Sequence, residues 1–251
     1  MPENKILVAK SFDELSGEAA ELIASASQEA IARSGRFTIA LSGGETPKKL
    51  YELLATPQWR NRIDWTKVHA FWGDERVVMP DDPKSNYKMA NDALLSKVPI
   101  PAANVHRVKT EIKDVQTVAN DYEAEIYRVL GGQPPAPPRF DFVLLGMGDN
   151  AHTASLFPHS EAVRPSDHIV MALYVPEVSN YRITFTAPLI NQADKIVFLI
   201  SGAKKASVLR EVLYGPRDPE RLPSQLIQPS QGALYWLIDE AAAVQLPRKT
   251  A

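Results

Sequence analysis

Short apolar runs recur along the chain, separated by stretches with helical spacing. Strands are predicted at 5–9, 37–41, 68–72, 104–108, 140–145, 169–175, 183–186, 195–200 and 233–238. Two of these runs, Phe142-Val143-Leu144-Leu145 and Ile196-Val197-Phe198-Leu199-Ile200, are continuous rather than alternating. Continuous runs suit parallel strands covered on both faces. Helices are predicted between them. Ser11-Phe12-Asp13-Glu14 reads as a capping box, and Leu15, Ala19, Leu22, Ile23, Ala26 and Ala30 then share one side up to Gly35. Thr46-Pro47 reads as a cap residue with proline at the first helical position. Further helical patterns cover 114–130 and 204–213. Strand–helix alternation of this kind predicts an open, mostly parallel α/β sheet flanked by helices. The Gly131-Gly132-Gln133-Pro134-Pro135 stretch reads as an exposed connection inside one domain spanning 1–251.

Composition narrows the function. A formal charge of −2 lacks the excess basic charge of a general nucleic-acid binder, so none is expected as a partner. Cysteine is absent, which removes thiolate ligands, disulfides and a thiol nucleophile together. The start of the chain has no signal-peptide pattern, and no run approaches the roughly 20 apolar residues of a membrane span. A cytoplasmic protein without membrane attachment is expected.

Four segments carry candidate chemistry. Ser42-Gly43-Gly44-Glu45-Thr46-Pro47 joins a strand to a helix, where glycines admit a close ligand and free amides attract phosphate. The same residues also suit an ordinary turn. Trp72-Gly73-Asp74-Glu75-Arg76 puts charge beyond a strand's carboxyl end, where open α/β sheets bind ligands, or else forms a solvated charge run. Gly146-Met147-Gly148-Asp149-Asn150-Ala151-His152 brings a histidine to the end of a hydrophobic strand. There it can serve as a base near neutral pH with Asn150 steadying its ring, or can be structural. Arg182 and Lys205 each place a cation beside a strand end. His69, His106, His159 and His168 show no metal-ligand spacing, and no metal site is expected.

Taken in order, these segments resemble the 6-phosphogluconolactonase family. The matching stretches are Ser42-Gly43-Gly44 with Thr46-Pro47, Trp72-Gly73-Asp74-Glu75-Arg76, Ser85-Asn86-Tyr87, and Gly146 to Gly148 followed by His152-Thr153-Ala154-Ser155-Leu156-Phe157-Pro158. Arg182-Ile183-Thr184, Gly202 with Lys205-Ala206, and Leu222-Pro223-Ser224-Gln225 complete the series. The resemblance implies a Rossmann-like core with a smaller added sheet, as in glucosamine-6-phosphate deaminases and ribose-5-phosphate isomerases. It implies hydrolysis of 6-phospho-D-glucono-1,5-lactone without metal or organic cofactor. His152 is then the general base. Arg76 and backbone amides near Gly148 stabilise the oxyanion, and Asp74 orients Arg76 or a sugar hydroxyl. Ser42, Gly43, Gly44, Thr46, Arg182 and Lys205 hold the sugar phosphate. The family usually reads Asp-Gly-His where this chain has Asn150-Ala151-His152. An amide here takes the place of a carboxylate. It can accept an imidazole N–H but cannot stabilise an imidazolium by charge. The rival expectations are an isomerase or deaminase acting on an amino-sugar phosphate, and a non-catalytic sugar-phosphate binder.

Overall fold

The computed structural model describes residues 3–247. Residues 1, 2 and 248–251, which the single-domain expectation also covers, lie outside the described residues. In chain order the elements are β1 (Glu3–Ala9), α1 (Phe12–Ser34), β2 (Phe37–Leu41), α2 (Glu45–Leu54), α3 (Pro57–Arg60), β3 (Val68–Trp72), β4 (Asp74–Arg76), α4 (Asn86–Ala93), α5 (Val115–Leu130), β5 (Phe142–Leu145), β6 (Val170–Val175), β7 (Asn180–Phe185), α6 (Ala187–Ile190), β8 (Lys195–Ile200), α7 (Ala206–Tyr214), β9 (Ala233–Asp239) and α8 (Glu240–Ala243). A six-stranded sheet runs β1-β9-β8-β5-β2-β3 with every neighbouring pair parallel. A smaller antiparallel sheet runs β4-β7-β6.

The continuous apolar runs are explained by two cores, one on each face of the large sheet. In β5, Val143 and Leu145 join one cluster while Phe142 and Leu144 join the other. In β8, Ile196, Phe198 and Ile200 face the first, and Val197 and Leu199 the second. Successive side chains point to opposite faces, so a strand apolar at every position is stable only between two layers. Each such side chain contributes about 1.5–3 kcal/mol when fully buried. The small sheet behaves differently. Tyr174 and Tyr181 pair across β6 and β7 and stay about half exposed, the half-solvated face expected of an antiparallel sheet.

Local signals hold where backbone chemistry is strict. The Ser11 hydroxyl caps α1 by accepting the Glu14 N–H at 3.2 Å, and Gly35 ends the helix at φ 77°. Two expectations fail. Residues 104–108 form no strand: Val105 makes one isolated bridge to Ala70, and Val108 is buried by packing instead. Apolar periodicity cannot tell a strand from an extended, packed loop. Thr46 is not the cap of α2. The helix starts at Glu45, two residues before the expected first position at Pro47, because Gly44 turns the chain at φ 106°. Pro47 is then the third helical residue, still within the turn whose N–H groups lack intrahelical acceptors.

The topology fixes where a ligand can sit. After β2 the chain adds β3 on one side; after β5 it adds β8 and then β9 on the other. Loops leaving the carboxyl ends of β2 and β5 therefore diverge, and a crevice opens between them.

Candidate active site

A cleft of about 400 Å³ occupies that crevice. It is lined by every residue singled out above except Asn150: Ser42, Gly43, Gly44, Thr46, Asp74, Arg76, His152, Arg182 and Lys205. Asn150 stands behind His152, in contact with its ring.

The loop after β2 is held by Tyr51. Its buried hydroxyl accepts the Ser42 N–H at 2.9 Å and donates to the Ser42 carbonyl at 2.8 Å. α2 follows with no side-chain cap on its first turn among the described residues. Uncapped N–H groups there favour an anion. Gly43 lines the cleft and also serves a packing purpose. A Cβ at this position would lie 2.0 Å from the Asn86 amide oxygen, so the missing side chain makes room for α4.

β4 is the element that periodicity could not show. Its Glu75 is 2 % exposed and accepts the N–H groups of Arg76, Asn86 and Tyr87 and the Ser85 hydroxyl. Burial pushes this carboxyl above its usual range while those donors pull it back. The charged triplet is therefore a buried strand tied to the start of α4, and not a solvated run. It pairs with β7 so that Arg76 stands directly opposite Arg182. Like charges in register repel. Both guanidinium groups also keep a buried Nε without a partner among the described residues. Burial, with Arg76 adding to it, lowers the Arg182 pKa below the ordinary guanidinium value, against the pull of Asp74 and Glu75. Two facing cations of this kind attract an anion. Asp74 does not orient Arg76: among the described residues no ion pair joins them, and Arg76 Nη1 donates to the Lys84 carbonyl at 2.5 Å. Asp74 instead accepts the Ser155 hydroxyl at 2.7 Å and the Asn86 amide at 3.4 Å.

The loop after β5 carries the histidine. The His152 ring stacks on Phe157 at 4.2 Å between centroids. Its other side leans on Gly148, where a Cβ would lie 2.1 Å from the ring. Ala151 and Ala154 take left-handed backbones at φ 63° and 48°. Each costs about 1–2 kcal/mol for a residue with a Cβ, strain of the kind functional loops retain. Gly148 N–H donates to the His152 carbonyl at 2.8 Å, so of the amides expected near Gly148 this one is committed.

In the neutral ring, the Asn150–His152 contact fixes the tautomer. Asn150 Oδ1 lies 3.2 Å from the His152 backbone N and 2.6 Å from Nδ1. A backbone N–H can only donate, so the amide atom facing it is the oxygen. The same oxygen must then accept from Nδ1–H, and Nε2 is left as the bare nitrogen. Burial pulls the His152 pKa down to about 4 from its ordinary 6.5; Lys205 and Arg182 add to this, and Asp74 and Asp149 oppose it.

Lys205 precedes α7 in a tight turn, Ala203–Lys205, rather than lying inside the expected helix. Its Nζ reaches Asp149 at 2.5 Å, and this pairing holds the Asp149 carboxyl below its usual range. Asp149, Asn86 and Ser155 line the cleft without having been singled out. Asn86 and Ser155 lie in stretches that carry the family resemblance, and Asp149 in the polar turn after Gly148.

Comparison with known proteins agrees with this geometry. Residues 10–236 match the family described as glucosamine-6-phosphate isomerases/6-phosphogluconolactonase. A 6-phosphogluconolactonase of Nostoc sp. is 44% identical over 98% of this chain and 96% of its own. The solved 6-phosphogluconolactonase from Trypanosoma cruzi superposes with a TM-score of 0.87 at 31% identity, covering 98% of each chain. A monomeric glucosamine-6-phosphate deaminase shares the fold, with a TM-score of 0.80 at 22% identity over 96% of this chain and 99% of its own. Because the match runs through both sheets and every loop that shapes the cleft, the chain belongs to the glucosamine-6-phosphate isomerase/6-phosphogluconolactonase family.

Proposed function

We propose that this chain hydrolyses 6-phospho-D-glucono-1,5-lactone to 6-phosphogluconate, the lactone-opening step of the pentose phosphate pathway. The observation that carries the reading is the bare Nε2 of His152, held in a cleft whose other wall bears Arg76 and Arg182. Nε2 takes a proton from water while the water oxygen bonds to the lactone carbonyl carbon. The carbonyl electron pair moves onto oxygen, where Arg76 stabilises it. Collapse of this intermediate restores the carbonyl and breaks its bond to the ring oxygen, which receives the proton from Nε2. The phosphate, remote from this carbon, is held by Arg182, Lys205, Thr46 and the Ser42-Gly43-Gly44 turn. That remote anchor supplies binding energy for orientation. Asp74 and Ser155 meet sugar hydroxyls. The proposal covers one domain over 1–251 and a cytoplasmic enzyme whose partner is a small sugar phosphate, with neither nucleic acid nor membrane. Among the described residues no helix is long and apolar enough to cross a membrane.

The direct test is hydrolysis of freshly made lactone above its spontaneous rate, with and without phosphate on the sugar. Release of ammonia from glucosamine 6-phosphate in place of lactone opening would overturn the proposal in favour of a deaminase.

Lys205→Ala should raise KM about tenfold, the low end for a charge-assisted hydrogen bond, since Lys205 must share its charge with Asp149. The unphosphorylated lactone should show no such change. Asn150→Asp should move the acidic limb of the kcat/KM profile. A carboxylate at the Nδ1 contact favours the imidazolium, so the His152 pKa rises from about 4 and the limb moves to higher pH. A pH–rate series on both proteins measures it, and an unmoved limb would remove Asn150 from the base's surroundings.

A further inference from the structure

The stretch Leu222-Pro223-Ser224-Gln225 has no part in the chemistry above. Ser224 is fully buried and does not line the cleft. Its backbone N–H donates to the Ala151 carbonyl at 3.0 Å, and its hydroxyl donates to the same oxygen at 2.7 Å. Gln225 anchors the stretch from the other side. Its amide donates to the Val212 and Pro216 carbonyls at 3.3 and 3.1 Å, and its Oε1 accepts the Asp218 N–H at 2.7 Å. The Ala151 carbonyl is thus clamped to the end of α7.

That carbonyl shares a planar peptide unit with the His152 N–H. Gripping the oxygen fixes where the N–H points, and it points at Asn150 Oδ1. The amide oxygen then takes Nδ1–H and leaves Nε2 bare. The grip also lands on a residue whose left-handed backbone, at φ 63°, would otherwise relax.

We propose that Ser224 is a positioning residue for His152: through the Ala151–His152 peptide plane it sets the Asn150 amide and hence the imidazole tautomer. This role rests on His152 being the base. Three links are involved, none of which touches substrate, so the expected signature is a change in kcat without loss of binding.

The test is Ser224→Ala, which deletes the hydroxyl donor and keeps the backbone one. We expect kcat to fall about tenfold, as for a slightly misplaced catalytic group, with KM for the phosphorylated lactone nearly unchanged. Imidazole ¹⁵N shifts of His152 should move from the Nδ1–H form toward a mixture of tautomers. In an Ala151→Gly background the left-handed backbone is free of its Cβ penalty, so the same Ser224→Ala step should cost less, about threefold. If Ser224→Ala alone is too unstable to purify, this glycine background supplies the comparison of kcat, KM and tautomer. A raised KM at constant kcat, an unchanged tautomer, or equal losses in both backgrounds would overturn the role. His152→Ala separates this outcome from failure of the catalytic reading. If that variant keeps its turnover, the base assignment is wrong, whereas a silent Ser224→Ala beside an inactive His152→Ala removes only the positioning role.

Discussion

Replacing His152 by alanine should lower kcat by about 10²–10⁴-fold, the usual contribution of a positioned general base. KM should change little, because the residues proposed to hold the phosphate lie on other loops. The melting temperature should fall modestly, since the chain gives up the stacking of this ring on Phe157. His152→Gln should behave the same way, as an amide cannot take a proton from water near neutral pH. The buried environment sharpens the expectation. A base with a pKa of about 4 stays unprotonated through the neutral range, so the wild-type acidic limb should lie well below pH 6.5. The same low pKa makes the imidazole a weak proton acceptor. On the proposed mechanism, Arg76 at the oxyanion then carries a correspondingly larger share of the catalysis. Near-native turnover in His152→Ala would end the proposed mechanism.

Gly148→Ala should cost about 10²-fold in kcat, because the added methyl drives into the His152 ring. The Cβ would lie 2.1 Å from Cε1 and Nδ1 of His152 and 2.8 Å from Nε2. The ring cannot step aside, because Phe157 stacks on it and Asn150 holds Nδ1. It must leave its place, and the bare nitrogen leaves with it. The control is Gly146→Ala, whose Cβ would meet the Ser42 hydroxyl at an ordinary 3.7 Å. That variant should lose far less. Comparable losses at the two glycines would mean that backbone freedom matters here and close approach to the ring does not.

Much of the large sheet was legible because β2, β3 and β8 are apolar at nearly every position and end in glycine or small polar residues. The site was legible because its residues cluster at those strand ends. β4 was not. Asp74-Glu75-Arg76 looks solvated, and only the tertiary fold shows that backbone amides of α4 satisfy Glu75. α4 itself was missed because its residues, Asn86–Ala93, are mostly polar or small. The opposition of Arg76 to Arg182 depends on the register between residues about 100 apart, which no local pattern encodes. The Ala151 backbone was also hidden. An alanine at φ 63° is visible in sequence only as a departure from the glycine usual in the family.

The pairing of β1 with β9 has a consequence for biosynthesis. β1 lies at the edge of the large sheet, and among the described residues its one strand neighbour is β9. Roughly 220 residues separate them, so at about 5–20 residues per second the ribosome takes on the order of 10–45 s to deliver the partner. Throughout that interval Ile6, Leu7 and Val8 are available to any other strand edge, while β2, β3 and β5 can already pair with one another. α1 follows β1 directly and is capped within its own sequence by Ser11 and Gly35. A helix that forms early beside an orphaned strand gives the nascent chain local structure before its sheet can close, and chaperones would meet it with β1 still unpaired.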